Sequence, residues 1–472
     1  MDRYGKIDGR LLEELKAAAG ENNVFTDTAK LAEYSHDEVP ANSYDRDYIA
    51  EALVFPESTD QVSAVVKLAA QHNIPVTCRG AGTGLSGGAV PAFGGIVLCF
   101  EKMNRIIELD EANFTITVET GVITDEIVRL AREHGLLYAG DPCSGDKSQI
   151  GGNIAENAGG NKVVKYGATG AQLLALEAVL ADGTVTWFGG KRRKDVTGFD
   201  FVHLLAGSEG TLAIITKAVL KLLPLPKYSA DLLAEFADAD SAMALVPKII
   251  AEAGLIPVSI EFMDRNSLSF VSRCLKREVP ACSSGAALII QLESSDIETL
   301  ETDCKKVAET AVRYRAQKIS TAKTDAEKEN LWTARKSIAD SIAKLCENYV
   351  KEDLVVPSAN VPALLFSIEK ACAKYGLESS VYGHAGDGNM HCTLIAGDKE
   401  NWKDLLHKAQ KEIYADTKKL GGTLSGEHGI GLKRREYIKY FLDDAQIELI
   451  KRVKLAFDPQ NILNPGKIVE WE

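Results

Sequence analysis

Residues 79–88 read Arg79-Gly80-Ala81-Gly82-Thr83-Gly84-Leu85-Ser86-Gly87-Gly88 and follow the strand-like run Ile74 to Cys78. Glycine at this density lets backbone N–H groups converge on an anion, and a pyrophosphate fits such a loop. A Rossmann dinucleotide loop would need a helix packed directly behind its glycines. Here Gly87-Gly88-Ala89-Val90-Pro91-Ala92-Phe93-Gly94-Gly95 follows, and no helix can start in it. A P-loop is excluded at Gly140 to Gly145, where Asp146 stands in place of the lysine and Gly151-Gly152 is expected to interrupt any helix. Either loop taken alone would be read as tight turns and nothing more.

Two further glycine segments change that balance: Gly151-Gly152-Asn153-Ile154-Ala155-Glu156-Asn157-Ala158-Gly159-Gly160 and Gly207-Ser208-Glu209-Gly210-Thr211. With all three present, the sequence resembles the PCMH-type FAD-binding domain of the vanillyl-alcohol oxidase superfamily over roughly residues 48–226. In that family the first loop binds the FAD pyrophosphate and the second runs past the isoalloxazine ring. The resemblance implies that Arg79, Gly80, Ala81, Gly82, Thr83, Gly84, Leu85, Ser86, Gly87, Gly88, Pro142, Ser148, Gly151, Gly152, Asn153, Gly160, Gly207, Ser208, Glu209, Gly210 and Asn464 line the cofactor. Some relatives attach FAD through a histidine in the first loop. This loop has none, so noncovalent FAD is expected; Cys143, beside the second loop, is read as a plain small residue rather than a cysteinyl link.

Working outward, residues 1–47 read as a helical lead-in, with Leu11, Leu12 and Leu15 at helical spacing. Ala52 to Phe55 reads as a strand and Ser58-Thr59-Asp60 as a helix start; short strands are expected at Gly95 to Cys99, Thr115 to Glu119 and Leu176 to Leu180. Past Leu223-Pro224-Leu225-Pro226 the pattern shifts to long amphipathic helices alternating with strands, such as Ala242 to Ala253 and then Val258 to Phe262. The expected class is α+β: an FAD-binding domain over 48–226, a ferredoxin-like α+β cap domain for the substrate over 227–424, and a C-terminal segment, 425–472, returning to the flavin.

The segment Val381-Tyr382-Gly383-His384-Ala385-Gly386-Asp387-Gly388-Asn389-Met390-His391-Cys392-Thr393-Leu394 holds an Asp-Gly turn signal between two strand-like runs, so a hairpin brings His384 and His391 back together. Two of only eight histidines flanking one turn point to a metal pair, and a carboxylate is wanted to complete it. Glu427, in Ser425-Gly426-Glu427-His428-Gly429-Ile430-Gly431, is the candidate, because glycine on either side lets backbone approach a crowded centre. These two motifs, with Asp458-Pro459-Gln460-Asn461-Ile462-Leu463-Asn464-Pro465-Gly466-Lys467, resemble the FAD-linked oxidase C-terminal domain of D-lactate dehydrogenases, the glycolate oxidase D subunit and D-2-hydroxyglutarate dehydrogenases. The resemblance implies that His384, His391 and Glu427 hold one divalent metal (Zn, Fe or Mn), with His428 as base. It also implies that Arg335, in Trp332-Thr333-Ala334-Arg335, forks onto the substrate carboxylate. Lys351 is a further candidate for substrate contact, although a surface role is an equal reading.

The chemistry explains the set. A 2-hydroxy acid chelates a cation through its hydroxyl and a carboxylate oxygen, the cation stabilises the alkoxide, His428 takes the proton and the C2 hydride passes to the flavin. Thr393 stands where some 2-hydroxyglutarate enzymes carry Asn, so D-lactate is favoured, with glycolate next. Two His and a carboxylate are also the facial triad of non-haem iron oxygenases, which leaves the glycine segments without a task. A non-redox flavin-fold transferase or a binding module is the third class.

Composition bounds the rest. Lys and Arg number 54 against 67 Asp and Glu, and a formal charge of -13 disfavours nucleic acid as a partner. Nine cysteines without a C-x-x-C pair fit a reducing compartment and supply no iron–sulfur relay. The charged stretch Met1 to Leu12 has no signal-like apolar region, and the most apolar run, Leu212 to Leu225, is broken by Lys217 and Lys221. The expected place is cytoplasmic, or peripheral to a membrane through a partner. Reduced flavin must pass its electrons on, and a protein acceptor is expected, either an electron-transfer flavoprotein or an iron–sulfur subunit, as some relatives use.

Overall fold

The structure is a computed structural model that describes residues 3–40, 43, 44 and 46–471; expectations that touch residues 1, 2, 41, 42, 45 and 472 fall outside them. The chain divides into two compact units, Met1–Gly159 with Gly167–Leu225 and Glu427–Glu472, and Gly160–Tyr166 with Pro226–Gly426. Among the described residues no helix is long and apolar enough to cross a membrane.

In the first unit the apolar run Ala52–Val54 is fully buried and pairs in parallel with Ile96–Cys99, which pairs in parallel with Val76–Arg79. The crossover is the helix Thr59–His72, started by the Ser58 side chain accepting from Gln61 N–H and closed by Asn73 in the left-handed region. It buries Val62, Val65, Val66 and Ala69. The lead-in is built into this layer: Gly9–Ala19 places Leu11, Leu15 and Ala19 in the same core, and Val24–Phe25 pairs antiparallel with Ala52–Val54. On the other side the tail is fastened to Val76, whose N–H donates to Ile462 at 2.8 Å and whose carbonyl accepts from Asn464 N at 2.7 Å. A second, antiparallel sheet runs Ile106–Asp110, Thr115–Glu119, Ile214–Lys221, Leu173–Val179, Val185–Gly189.

One expectation fails. Gly151 and Gly152 do not interrupt a helix; they sit inside one, Ile150–Glu156. Packing outweighs the roughly 1 kcal/mol per glycine that propensity would charge against it. A Cβ on Gly151 would stand 2.6 Å from Thr120 Cβ, so only glycine lets this helix lie so close to the strand end.

The second unit is a seven-stranded antiparallel sheet in the order Lys318–Ala322, Tyr228–Phe236, Ala286–Ser294, Ser259–Asp264, Glu378–His384, Asn389–Ile395, Tyr349–Val355. The hairpin Glu378–His384/Asn389–Ile395 turns through Ala385 to Gly388, with the N–H groups of Asp387 and Gly388 both donating to the His384 carbonyl. Its register pairs His384 with Asn389, Tyr382 with His391 and Ser380 with Thr393. Directly opposed residues share a face and strand side chains alternate. One face therefore carries His384, Tyr382, His391 and Thr393, extended by Glu261 on one side and by Asp353 and Lys351 on the other. The opposite face carries Val381, Met390, Cys392 and Leu394, all buried.

Gly388 holds this turn at φ +83, and a Cβ there would meet the Val356 carbonyl oxygen at 2.0 Å. Gly388→Ala is expected to cost on the order of 1–3 kcal/mol. A urea or thermal melt of the variant reads it, and an unchanged midpoint would show that the turn tolerates a side chain.

Candidate active site

In the first unit the glycine loops wall one deep cleft, with about 1110 Å³ of atom-free space including its open mouth. Gly80, Ala81, Gly82, Thr83, Gly84, Leu85, Gly88, Pro142, Gly152, Asn153, Glu209, Gly210 and Asn464 line it. Arg79 and Gly151 instead line a smaller recess that shares Gly80, Gly152 and Gly210 with the cleft. The Arg79 guanidinium donates to the His36 carbonyl and lies 5.3 Å from the Tyr34 ring centre, so it serves the lead-in.

Ser86, Gly87, Ser148, Gly207 and Ser208 are absent from the lining and act as supports. The Ser86 carbonyl accepts from Leu432 and Lys433 N–H, Gly87 N–H donates to Asp37, and Ser148 is bonded through its carbonyl to Thr124. Gly207 N–H donates to the Ile154 carbonyl and Ser208 bonds Thr211. Gly160 belongs to the second unit, while its neighbour Gly159 lines the cleft. Sequence reading missed Cys78, Gln149, Ala155 and Glu156 as lining residues. The signal was available for Ala155 and Glu156, because they lie one turn beyond Gly151 and Gly152, but it required seeing a helix there.

Glu427 and His428 face the same cleft, their side chains 3.7 Å apart. A Cβ on Gly159 would fall 2.4 Å from Glu427 Oε2, so the second glycine segment is held directly against this carboxylate. The following turn is anchored by Glu209, which accepts from Ile430 N and Gly431 N, both at 2.7 Å. Asn464 Nδ2 ties the Gly88 and Glu209 carbonyls together at 3.0 and 2.7 Å. Burial, then the charge of Glu209, pushes the Glu156 carboxyl well above the usual carboxylate range. Glu156 Oε2 and Gln149 Oε1 are buried acceptors with no hydrogen-bond partner among the described residues. Gln149 offers an orphaned acceptor and the raised Glu156 carboxyl a proton on a glycine-lined wall, which fits a polar ligand that backbone approaches closely.

In the second unit His384 and His391 stand with ring centres 5.3 Å apart. Glu261, fully buried, accepts from His384 Nδ1 at 2.8 Å through one oxygen and from Arg335 Nε at 2.9 Å through the other, which also lies 2.8 Å from Arg335 Nη2 as an ion pair. Burial alone would raise Glu261, but the His384 and Arg335 charges beside it hold it below its ordinary value. Arg335 lies near the end of the helix Asp325–Lys336, whose start is fixed by a capping box between Thr324 and Glu327. Its guanidinium packs over the Tyr382 ring at 4.9 Å. Asp353 lies 3.6 Å from His391 Nδ1 and accepts from Asn389 Nδ2, Ser425 Oγ and Gly426 N. The next two residues in the chain are Glu427 and His428. Lys351, two positions before Asp353 on the same face, is half-buried. Glu261 and Asp353 were also missed, since neither sits in a motif with the histidines they serve.

Known proteins resemble the chain along its length. Residues 50–189 match the FAD binding domain, and residues 225–468 match FAD linked oxidases, C-terminal domain. The glycolate oxidase subunit GlcD of Bacillus subtilis (strain 168) is 39% identical over 97% of this chain and 96% of its own. D-lactate dehydrogenase of Anaerostipes hadrus is 33% identical (99% and 98%), and D-2-hydroxyglutarate dehydrogenase of Stutzerimonas stutzeri (strain A1501) is 32% identical (98% and 99%). Among solved structures, p-cresol methylhydroxylase with substrate bound superposes with a TM-score of 0.80 at 18% identity, covering 98% of each chain. The match to a flavin domain removes the ground for the iron-oxygenase alternative. The three glycine loops, the paired histidines and these relatives agree: the chain belongs to the FAD-linked oxidases and is an FAD-linked oxidoreductase of the lactate, glycolate and 2-hydroxyglutarate dehydrogenase group.

Proposed function

We propose that the protein oxidises a D-2-hydroxy acid, D-lactate in first place, to the 2-oxo acid, using noncovalent FAD and one divalent metal held by His384, His391 and Glu427. What carries this reading is the buried face on which Glu261 ties Arg335 to His384, beside His391. A cation that recognises a carboxylate is thereby kept next to two imidazoles suited to Zn, Fe or Mn. When bound, the flavin supplies a hydride acceptor and the metal a Lewis acid for the hydroxyl oxygen.

The chain's own groups do the rest. Arg335 binds the substrate carboxylate and is kept from swinging by Glu261 and the Tyr382 ring. His428, on the wall of the flavin cleft, takes the hydroxyl proton. Lys351 adds a second positive charge at the carboxylate. Thr393, small and buried, offers little to a second carboxylate, which favours lactate over 2-hydroxyglutarate. Glycolate is the second reading, favoured by the higher identity to a glycolate oxidase subunit. Electrons then leave to a protein acceptor, an electron-transfer flavoprotein or an iron–sulfur subunit, with the enzyme in the cytoplasm or held at the membrane by that partner.

His428→Ala is expected to slow flavin bleaching by D-lactate by about 10²–10⁴-fold with flavin content unchanged; a variant that bleaches at the parental rate removes His428 as base. Dialysis against a chelator should abolish bleaching by D-lactate while dithionite still bleaches, and added Zn, Mn or Fe should restore it. Full lactate-dependent bleaching in verified metal-free protein would overturn the metal. Acid precipitation should leave the yellow colour in the supernatant, and colour in the pellet would mean a covalent flavin.

A further inference from the structure

We propose that Glu261 is a positioning residue that sets two groups of the active site at once: the tautomer of His384, and the edge by which Arg335 meets a substrate carboxylate. This rests on the metal-dependent reading above and adds a residue that lies 123 positions from His384 in sequence and outside both histidine motifs.

A neutral imidazole that coordinates through Nε2 must carry its proton on Nδ1. Glu261 Oε1, 2.8 Å from Nδ1 and unable to donate, enforces that tautomer. The other oxygen accepts from Nε of Arg335 and lies 2.8 Å from Nη2, so it covers the side of the guanidinium that carries Nε. A substrate carboxylate therefore cannot use that side of the guanidinium. Because Glu261, Arg335 and His384 are all at most 4% exposed, solvent does not loosen the arrangement. One carboxylate thus fixes the distance between the carboxylate-binding edge and a metal-binding nitrogen, the two points a 2-hydroxy acid must touch together.

Glu261→Gln separates this role from bulk packing, because the amide has the same shape but one donor end. If its oxygen faces His384, its NH₂ meets the Arg335 donors; if it faces Arg335, its NH₂ meets Nδ1 and drives the proton to Nε2. The experiment takes flavin-loaded protein stripped of metal and titrates it calorimetrically with Zn²⁺ or Mn²⁺ alone, alongside KM for D-lactate and flavin content. Glu261→Gln is expected to weaken metal binding by about 10–100-fold with parental flavin content. In the double variant Glu261→Gln with Arg335→Met, the guanidinium is gone and the amide oxygen is free to serve His384. Metal affinity should then return to within about threefold of the parent while KM for D-lactate stays at least about tenfold raised. The double variant also removes both buried charges, so it folds even where the single one does not. Parental metal affinity in Glu261→Gln, or equal loss in single and double variants, would overturn the tautomer role. A parent that binds no metal strikes down the metal reading itself, and the Arg335 role is then judged by KM alone.

Discussion

The first unit depends on what a buried carboxylate can do for backbone that has no other partner. Glu209 sits at φ +53, where a side chain is strained, and its two oxygens accept the Ile430 and Gly431 N–H groups. Burying a carboxylate costs several kcal/mol unless donors replace its water. Two backbone N–H bonds of 2.7 Å, with Lys467 and Arg434 nearby, offset part of that cost, and burial still holds the Glu209 carboxyl above its ordinary value. The result is that the loop carrying Glu427 and His428 cannot drift from the third glycine segment. Asn464 extends the same lock to the first loop and to the C-terminal tail. Segments hundreds of residues apart in sequence thereby form one wall.

The second unit solves a related problem with a sheet. A polar face inside a protein is expensive unless every group on it has a partner. Strand alternation gathers Glu261, His384, His391, Asp353 and Lys351 on one side. Each carboxylate then serves a histidine, Glu261 at hydrogen-bond distance and Asp353 at 3.6 Å. Apolar neighbours seal the surroundings: Met263, Ile289, Leu331 and Ile338 belong to one buried cluster that includes Tyr382. Removing water in this way strengthens every charge interaction left on the face.

How much of this was legible follows from where each signal resides. The hairpin could be read because its period-two pattern and Asp-Gly turn are local, and the helix start at Ser58 because a cap is local. The strand Thr115–Glu119 was found to the residue, its five positions all buried. The helix Ile150–Glu156 was missed because its support is not in its own residues but in Thr120, against which Gly151 packs. Glu261 was invisible for a stronger reason. Its meaning comes from cross-strand register, Glu261 opposite His384, which no spacing rule reports. The burial of Arg335 was not legible at all, since nothing local distinguishes a helical arginine that is 4% exposed from one in water, and it was singled out only through family resemblance.

That pattern bears on substrate choice. The groups that make the chemistry general, the flavin cradle and the histidines, sit in motifs. Arg335, packed on Glu261 and Tyr382, lies outside them. If Glu261 covers the Nε side of Arg335, that side is closed to substrate, and a longer diacid needs a second cation or amide for its far end. Lys351 and Thr393 are directly opposed in the strand register on this same face. A lysine beside a threonine, rather than beside an amide, leaves one additional charge and no second fork. On the lactate reading proposed above, Lys351 and Arg335 share one carboxylate, and the small Thr393 supplies no amide for a second.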